Sequence, residues 1–207
     1  KINADCYSIG SLKNNFCKKS DKAEKTNICY ISSYGISTKI FEREILENLQ
    51  KFCEDKKIKL EILARTNLIE EEKFYVEILK NKNFIFHRKS DDFCVSYNVI
   101  DSAALSITLN NTLGYENLAR NNKTYFINVN DRNLGCASFL KFGYPGKFNE
   151  KGFFWTSKFD PQKTISEINY IYNLTNEEWK NETYEIIKKI IIYDKDNFLL
   201  KKKLNQL

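Results

Sequence analysis

Ala103-Ala104-Leu105-Ser106-Ile107-Thr108-Leu109 runs directly into Asn110-Asn111-Thr112-Leu113-Gly114-Tyr115-Glu116. The first part is an apolar, β-prone run of the length of a buried strand. The second is polar turn chemistry that opens a helix at Thr112, with a glycine one turn in. A strand that feeds a helix through so short a turn is half of a βαβ unit, and the same grammar repeats on both sides. Ile28 to Ile31 reads as a strand ended by Ser32-Ser33-Tyr34-Gly35. Ser37 or Thr38 then caps a helix on which Ile40, Phe41, Ile45, Leu46, Leu49 and Phe52 keep helical spacing.

Outward from these units, residues 59–64 predict a strand, 70–79 an acidic-started helix, 84–86 a strand, 91–101 a helix and 124–127 a further strand. The loops 130–135 and 143–146 come next, then an edge strand at 153–155 and two C-terminal helices over 161–174 and 175–191. The second of these has a capping box at Thr175 and Glu178. Alternating strands and helices give a parallel sheet flanked by helices, a Rossmann-like α/β fold. The expected layout is an entry segment over 1–26, a Rossmann-like domain over 27–174 and C-terminal helices over 175–207. The chain starts at Lys1 and contains no Met, so an N-terminal domain is expected upstream.

A chain of 207 residues, 42% of them hydrophobic, suits one good core. The net charge of +6 is spread among 33 basic and 27 acidic side chains rather than gathered on a stripe, and Lys dominates Arg, which argues against a nucleic-acid partner. Cysteines at 6, 17, 29, 53, 94 and 136 form no C-x-x-C pair and no cluster. They read as reduced thiols of a cytoplasmic protein, with neither a zinc site nor a disulfide framework. His87 is alone and cannot build a histidine metal cluster, so no metal is expected. No apolar run reaches the ~18–20 residues of a membrane span. Residues 186–200 alternate apolar and basic residues, which suits either peripheral contact with the inner face of a membrane or packing of a helix on its own core.

Ligands of open parallel sheets bind beyond the carboxyl ends of the strands, so the strand-to-helix turns are the places to search. At Asn111-Thr112 the free amides of a helix start attract phosphate. Gly114 would allow close approach of a ligand or of the neighbouring strand, and Glu116 could bond sugar or ribose hydroxyls. The same residues could instead be a plain cap with a dipole-complementing acid. Ser33-Tyr34-Gly35 is a second candidate loop, without a P-loop lysine or a G-x-G-x-x-G pattern. Arg65, at the end of the next strand, is either a phosphate clamp or a surface residue. A third polar loop, with Gly10, Ser11, Asn14 and Asn15, is expected to face another domain, as is Arg132. No nucleophile elbow or Cys–His pairing identifies a catalytic residue.

Several ordered motifs carry a family resemblance: Ser96-Tyr97, Asp101-Ser102-Ala103, residues 109–120, Phe142-Gly143-Tyr144-Pro145, Gly152-Phe153-Phe154-Trp155-Thr156 and Glu178-Trp179. Together they span about 8–180, and the chain resembles a bacterial family of surface-carbohydrate biosynthesis transferases. The resemblance implies the C-terminal, donor-binding half of a GT-B-like glycosyltransferase of lipopolysaccharide or capsule assembly. Its substrate would be a nucleotide-sugar, its acceptor a glycan or lipid-linked glycan, and it would need no tightly bound cofactor. Thr112, Gly114, Tyr115 and Glu116 would line the donor site, with Arg65 and the Ser33–Gly35 loop nearby. The chain departs from the family pattern at Asn110 and Asn111, where Asp and Ser are expected, and so lacks the charge that a metal or general-base role at that turn would require. A nucleotide-sugar epimerase of the same fold, or a glycan-binding scaffold, are the alternatives.

Overall fold

Four tetrapeptides with every side chain buried form the centre of a parallel sheet: β1 (Ile28–Ile31), β2 (Leu60–Leu63), β4 (Leu105–Thr108) and β5 (Thr124–Ile127). Strands buried on both faces need helices on both faces, and the chain supplies them. The computed structural model describes residues 8–20, 25–34, 39–80, 83–109, 111–128, 141–143 and 146–206. Its helices are α1 (Leu12–Phe16), α2 (Lys39–Lys56), α3 (Ile69–Leu79), α4 (Cys94–Ser102), α5 (Thr112–Ala119), α6 (Pro161–Asn173), α7 (Asn176–Ile187) and α8 (Phe198–Leu204). With the half-buried β3 (Phe84–His87) and a hairpin of β6 (Lys151–Gly152) and β7 (Trp155–Thr156), the sheet order is β3-β2-β1-β4-β5-β7-β6. Every pairing is parallel except β6 with β7.

The register places Ile28 opposite Leu60 and Leu105, and Tyr30 opposite Ile62 and Ile107. That face joins Ile45, Leu46 and Leu49 of α2 and Tyr75, Ile78 and Leu79 of α3 in the main core. On the other face Cys29, Ile31 and Leu63 meet Tyr97, Val99, Ile100 and Ala103 around α4. Gly114 sets how closely α5 lies on the sheet, because a Cβ there would sit 2.6 Å from Thr108 Cγ2 and 3.2 Å from the Phe126 ring. Trp155 stacks on Phe142 at 4.3 Å and Trp179 is fully buried, so both tryptophans are packing anchors.

Local chemistry sets the boundaries. Asp160 accepts from the Lys163 N–H with Pro161 at the first helical position of α6, and Thr175 with Glu178 completes the capping box of α7. The helix expected over 91–101 starts at Cys94 instead. Ser90 Oγ accepts the Asp92 N–H and Asp92 Oδ1 accepts the Cys94 N–H, so short side chains hold the first residues in turns. The edge strand expected at 153–155 is a hairpin whose turn is Phe153-Phe154, with Phe154 sunk into the core. The basic stretch 186–200 is not one helix. α7 ends at Ile187, and left-handed residues Asp196 (φ 59) and Asn197 (φ 55) separate it from α8. Ile186, Ile187, Ile190 and Ile191 pack on the core, the second of the two fates considered for this stretch.

The expectation of unpaired cysteines also fails, since Cys17 and Cys94 form a disulfide with Cα atoms 5.5 Å apart across a sequence separation of 77. Such a pair has no local spacing signature, because only the fold brings it together. Cys29 and Cys53 are free and buried, and burial pushes the Cys53 thiol up to about 12. Cys6 and Cys136 lie outside the described residues.

Residues 8–20 are tied into the domain by a buried ion pair. Arg120 Nε and Nη2 donate to the two oxygens of Asp101 at 2.9 and 2.5 Å, and both side chains are fully buried. The same guanidinium donates to Asn14 Oδ1 and to the carbonyls of Asn14, Cys17 and Lys18, between the rings of Tyr97 and Tyr193. Asp101 also accepts from the Ser20 N–H and from Asn122 Nδ2. Burial works to raise the Asp101 carboxyl, but the hydrogen bonds from Arg120, Ser20 and Asn122 outweigh it and hold the group below its ordinary value of 3.8.

Removing one partner of this pair strands the other without water. Arg120→Met is therefore expected to cost about 3–5 kcal/mol, read by urea unfolding. A depressed carboxylate contributes stability that is whole above its unfolded pKa and lost as pH falls through the folded one. Asp101→Asn should accordingly lower stability at neutral pH and flatten the decline below about pH 4. Gly114→Ala should cost about 1–3 kcal/mol by forcing α5 off Thr108, measured as a lower unfolding midpoint.

Candidate functional site

The chain leaves β1 toward β2 and β3 on one side and returns through α4 to β4 on the other, so the strand order reverses between β1 and β4. Neighbouring loops depart in opposite directions there and a crevice opens at the carboxyl ends. A cleft of about 430 Å³ occupies this point. Its floor is Ile31, Leu63 and Ala64, and its walls are Phe93 just before α4 with Ser96 and Tyr97 of that helix, Asn111 at the cap of α5 with Thr112, Leu113 and Glu116 of that helix, and Lys13 of α1. Arg65 and Lys89 complete the rim.

The start of α5 is capped and also accessible. Asn111 Oδ1 accepts the Leu113 N–H at 3.0 Å and the Asn111 carbonyl accepts the Gly114 N–H at 2.9 Å, so those two amides are engaged. Asn111 Nδ2 donates to the Ser32 carbonyl at 3.0 Å and ties this turn to the end of β1. Thr112 is exposed on the cleft. The positive end of the helix dipole therefore faces the cavity through Thr112, while Asn111 serves as its cap.

Glu116 is buried at the cleft wall between two neutral hydroxyls. Ser11 Oγ donates to Oε1 at 2.5 Å and the Tyr97 hydroxyl to Oε2 at 2.8 Å. Burial, with the Glu116 charge next, pushes the Tyr97 hydroxyl well up, so it stays protonated as that donor. Each carboxylate oxygen keeps a second lone pair for a ligand hydroxyl. Across the cleft Arg65 projects from a turn held by Glu71, whose carboxylate accepts from the Arg65 N–H, the Thr66 N–H and hydroxyl, and Ser32 Oγ at 2.5–2.8 Å. The Arg65 side chain is exposed and donates to the Tyr34 carbonyl at 2.9 Å.

Of the residues singled out in the sequence, the structure brings Asn111, Thr112, Glu116 and Arg65 to one cleft. It separates Gly114, Tyr115, Ser33 and Tyr34 from it. Gly114 faces Thr108 and Phe126, so its missing Cβ makes room for the strand. Tyr115 packs on Phe126 and Phe142, and its hydroxyl accepts the Gly143 N–H. Ser33 is buried with its N–H on Glu42, and Tyr34 packs on Phe74.

The loop expected to face another domain turns inward. Gly10 takes φ +70 against the Ile192 carbonyl, Asn14 donates to the Glu116 carbonyl, and Asn15 bonds Ile9, Asp194 and Asn197. Gly35, Asn110 and Arg132 lie outside the described residues. Lys13, Lys89, Phe93 and Glu71 were not singled out from the sequence, and Tyr97 entered only as part of the Ser96-Tyr97 motif, with no role at the site. Only Glu71, an acid in the first turn of a helix after a Thr-bearing turn, carried a local signal. His87 pairs with Glu61 at 2.6 Å on the edge of the sheet.

By structure the chain is similar to the UDP-GlcNAc 2-epimerase from Neisseria meningitidis solved bound to UDP-GlcNAc, with a TM-score of 0.55 and 8% identity over 90% of this chain and 45% of that one. It is also similar to the wall teichoic acid polymerase TagF, solved after a soak with CDPG, with a TM-score of 0.52 and 14% identity over 89% of this chain and 42% of that one. It thus spans less than half the length of either. Identities this low establish the shared fold alone, that of the GT-B glycosyltransferases and epimerases. No curated protein matches the sequence. A family model described as "putative O-antigen biosynthesis protein" matches residues 1–207, and the chain belongs to that family.

Proposed function

We propose that this chain is the donor-binding domain of a glycosyltransferase that passes a sugar from a nucleotide-activated donor to a growing surface glycan. The observation that carries this reading is the convergence of Lys13, Arg65, Lys89 and the exposed Thr112 end of α5 on one cleft at the switch point of the sheet. Three cations and a helix dipole suit the phosphates of a nucleoside diphosphate or monophosphate sugar. Glu116, held by Ser11 and Tyr97, is the acceptor for ribose or sugar hydroxyls. The apolar floor and Phe93 suit a base.

In this reading the leaving nucleotide is stabilised by fixed positive groups as its phosphate gains charge, without a tightly bound cofactor. The catalytic base and the acceptor glycan, free or lipid-linked, belong to a second domain across the cleft, and the reaction runs on the cytoplasmic side of the membrane. The likeness to an epimerase that binds UDP-GlcNAc favours a second reading, in which the nucleotide-sugar is isomerised rather than transferred.

Calorimetric titration of the chain with UDP-, GDP- and CMP-sugars is expected to give saturable binding to one of them, and no binding to any would overturn the proposal. Arg65 is exposed, so Arg65→Ala should leave the fold intact and weaken that binding about 10- to 100-fold, the worth of a charged phosphate contact. Raising the salt concentration should weaken wild type more than the variant. Incubation of the intact enzyme with donor alone separates the two readings. Isomerised sugar-nucleotide identifies an epimerase, and turnover that requires an acceptor identifies a transferase.

A further inference from the structure

α1 supplies Lys13 to the cleft, and Ser11, at its N-cap, holds Glu116 in the cleft wall, yet α1 is a poor helix by itself. It is five residues long, far below the length at which an isolated helix holds in water. Its apolar residues do not anchor it, since Leu12 and Phe16 are 49% and 64% exposed, while the residues it buries are Asn14 and Asn15. What seats it is polar and covalent. Arg120 grips the carbonyls of Asn14, Cys17 and Lys18, and the Cys17–Cys94 disulfide closes the distal end. Cys94 is the first residue of α4, whose first turn gives Ser96 and Tyr97 to the same cleft. Phe16 meets Phe93 at 6.0 Å and Lys13 Nζ lies 5.8 Å from the Phe93 ring centroid, so the bond spans two adjoining parts of one wall.

We propose that Cys17 and Cys94 are a thiol–disulfide clasp that sets how firmly α1 is seated, and through Lys13 and Ser11 the affinity of the cleft for an anionic ligand. Cys17 is 2% exposed whereas Cys94 is half-buried, so an external thiolate attacks the Cys94 sulfur. Cys17 leaves as a thiolate and takes a proton. A second thiol then attacks the mixed disulfide and releases Cys94. In sum, the protein disulfide and two small-molecule thiols become two protein thiols and one small-molecule disulfide, and the reverse reaction closes the clasp. With the clasp open, α1 keeps the grip of Arg120 on its carboxyl end but loses its covalent stop, and the Ser11 bond to Glu116 and the position of Lys13 loosen together. The effect on ligand rests on the function proposed above. The seating of α1 does not.

The test uses the full chain, equilibrated with oxidised glutathione or with dithiothreitol, and a Cys17→Ser/Cys94→Ser variant. Alkylation with mass detection should show Cys17 and Cys94 protected in the oxidised form and labelled in the reduced one. Amide hydrogen exchange over residues 11–17 should quicken about tenfold or more on reduction and in the variant, with the β1, β2 and β4 amides unchanged. UDP and CMP are the probes for the cleft, and the one that binds should bind several-fold more weakly to the reduced chain and to the variant, which should ignore the thiol reagents. Labelling of both cysteines in the oxidised sample, or equal exchange over 11–17 in both forms, would overturn the clasp. Faster exchange with no binding of either probe in any form supports the clasp and counts against the function proposed for the cleft. Faster exchange with identical affinities overturns the control of affinity.

Discussion

Arg120 is the point where three separate parts of the chain become one body. Its guanidinium lies at the carboxyl-terminal end of α5, its counter-ion Asp101 belongs to α4, and its remaining N–H groups hold the backbone that follows α1. A buried charge costs several kcal/mol unless it is paired and its donors are filled, and here every nitrogen of the fork has an acceptor. The arrangement is therefore specific rather than merely cohesive. A helix slipped by one turn would leave donors without acceptors in a site that water does not reach, so α1, α4 and α5 share one register.

The wall of the cleft inherits that register. Ser11 reaches Glu116 because Arg120 fixes the backbone just beyond it, and Tyr97 reaches the same carboxylate from the helix that carries Asp101. On the opposite side Glu71 gathers the turn that bears Arg65. Both sides follow one plan: a buried carboxylate fixes backbone or hydroxyl groups, and a long cationic side chain reaches from that fixed base into solvent. The acid and the backbone beneath Arg65 are thus fixed in advance, so a ligand there would need to order little besides the long cationic side chains.

Much of the architecture was legible because it rests on local rules. The apolar tetrapeptides at 28–31 and 124–127 match their strands residue for residue, and the capping box at Thr175 formed as read. The turn at Asn111-Thr112 was legible for the same reason, as a strand end followed by cap chemistry. What escaped was long-range. Cys17 and Cys94, Ser11 and Glu116, and Arg120 and Asn14 are partners separated by most of a domain, and nothing in their neighbours announces them. Gly114 shows the middle case. Its need for a missing Cβ was readable, but only the packing against Thr108 decided between a ligand and a strand as the reason.

The two margins of the sheet differ in how they meet the outside. At one, β6 is two residues long, runs against the direction of its neighbour and carries Lys151 in an ion pair with Glu167, so it offers almost no ladder to a stray strand. At the other, β3 presents Phe84, Ile85, Phe86 and His87, partly open, along a full-length parallel border. Any misassembly of this protein through cross-chain ladders should therefore begin beside β3, and a single lysine or proline placed there is the natural way to improve its behaviour at high concentration.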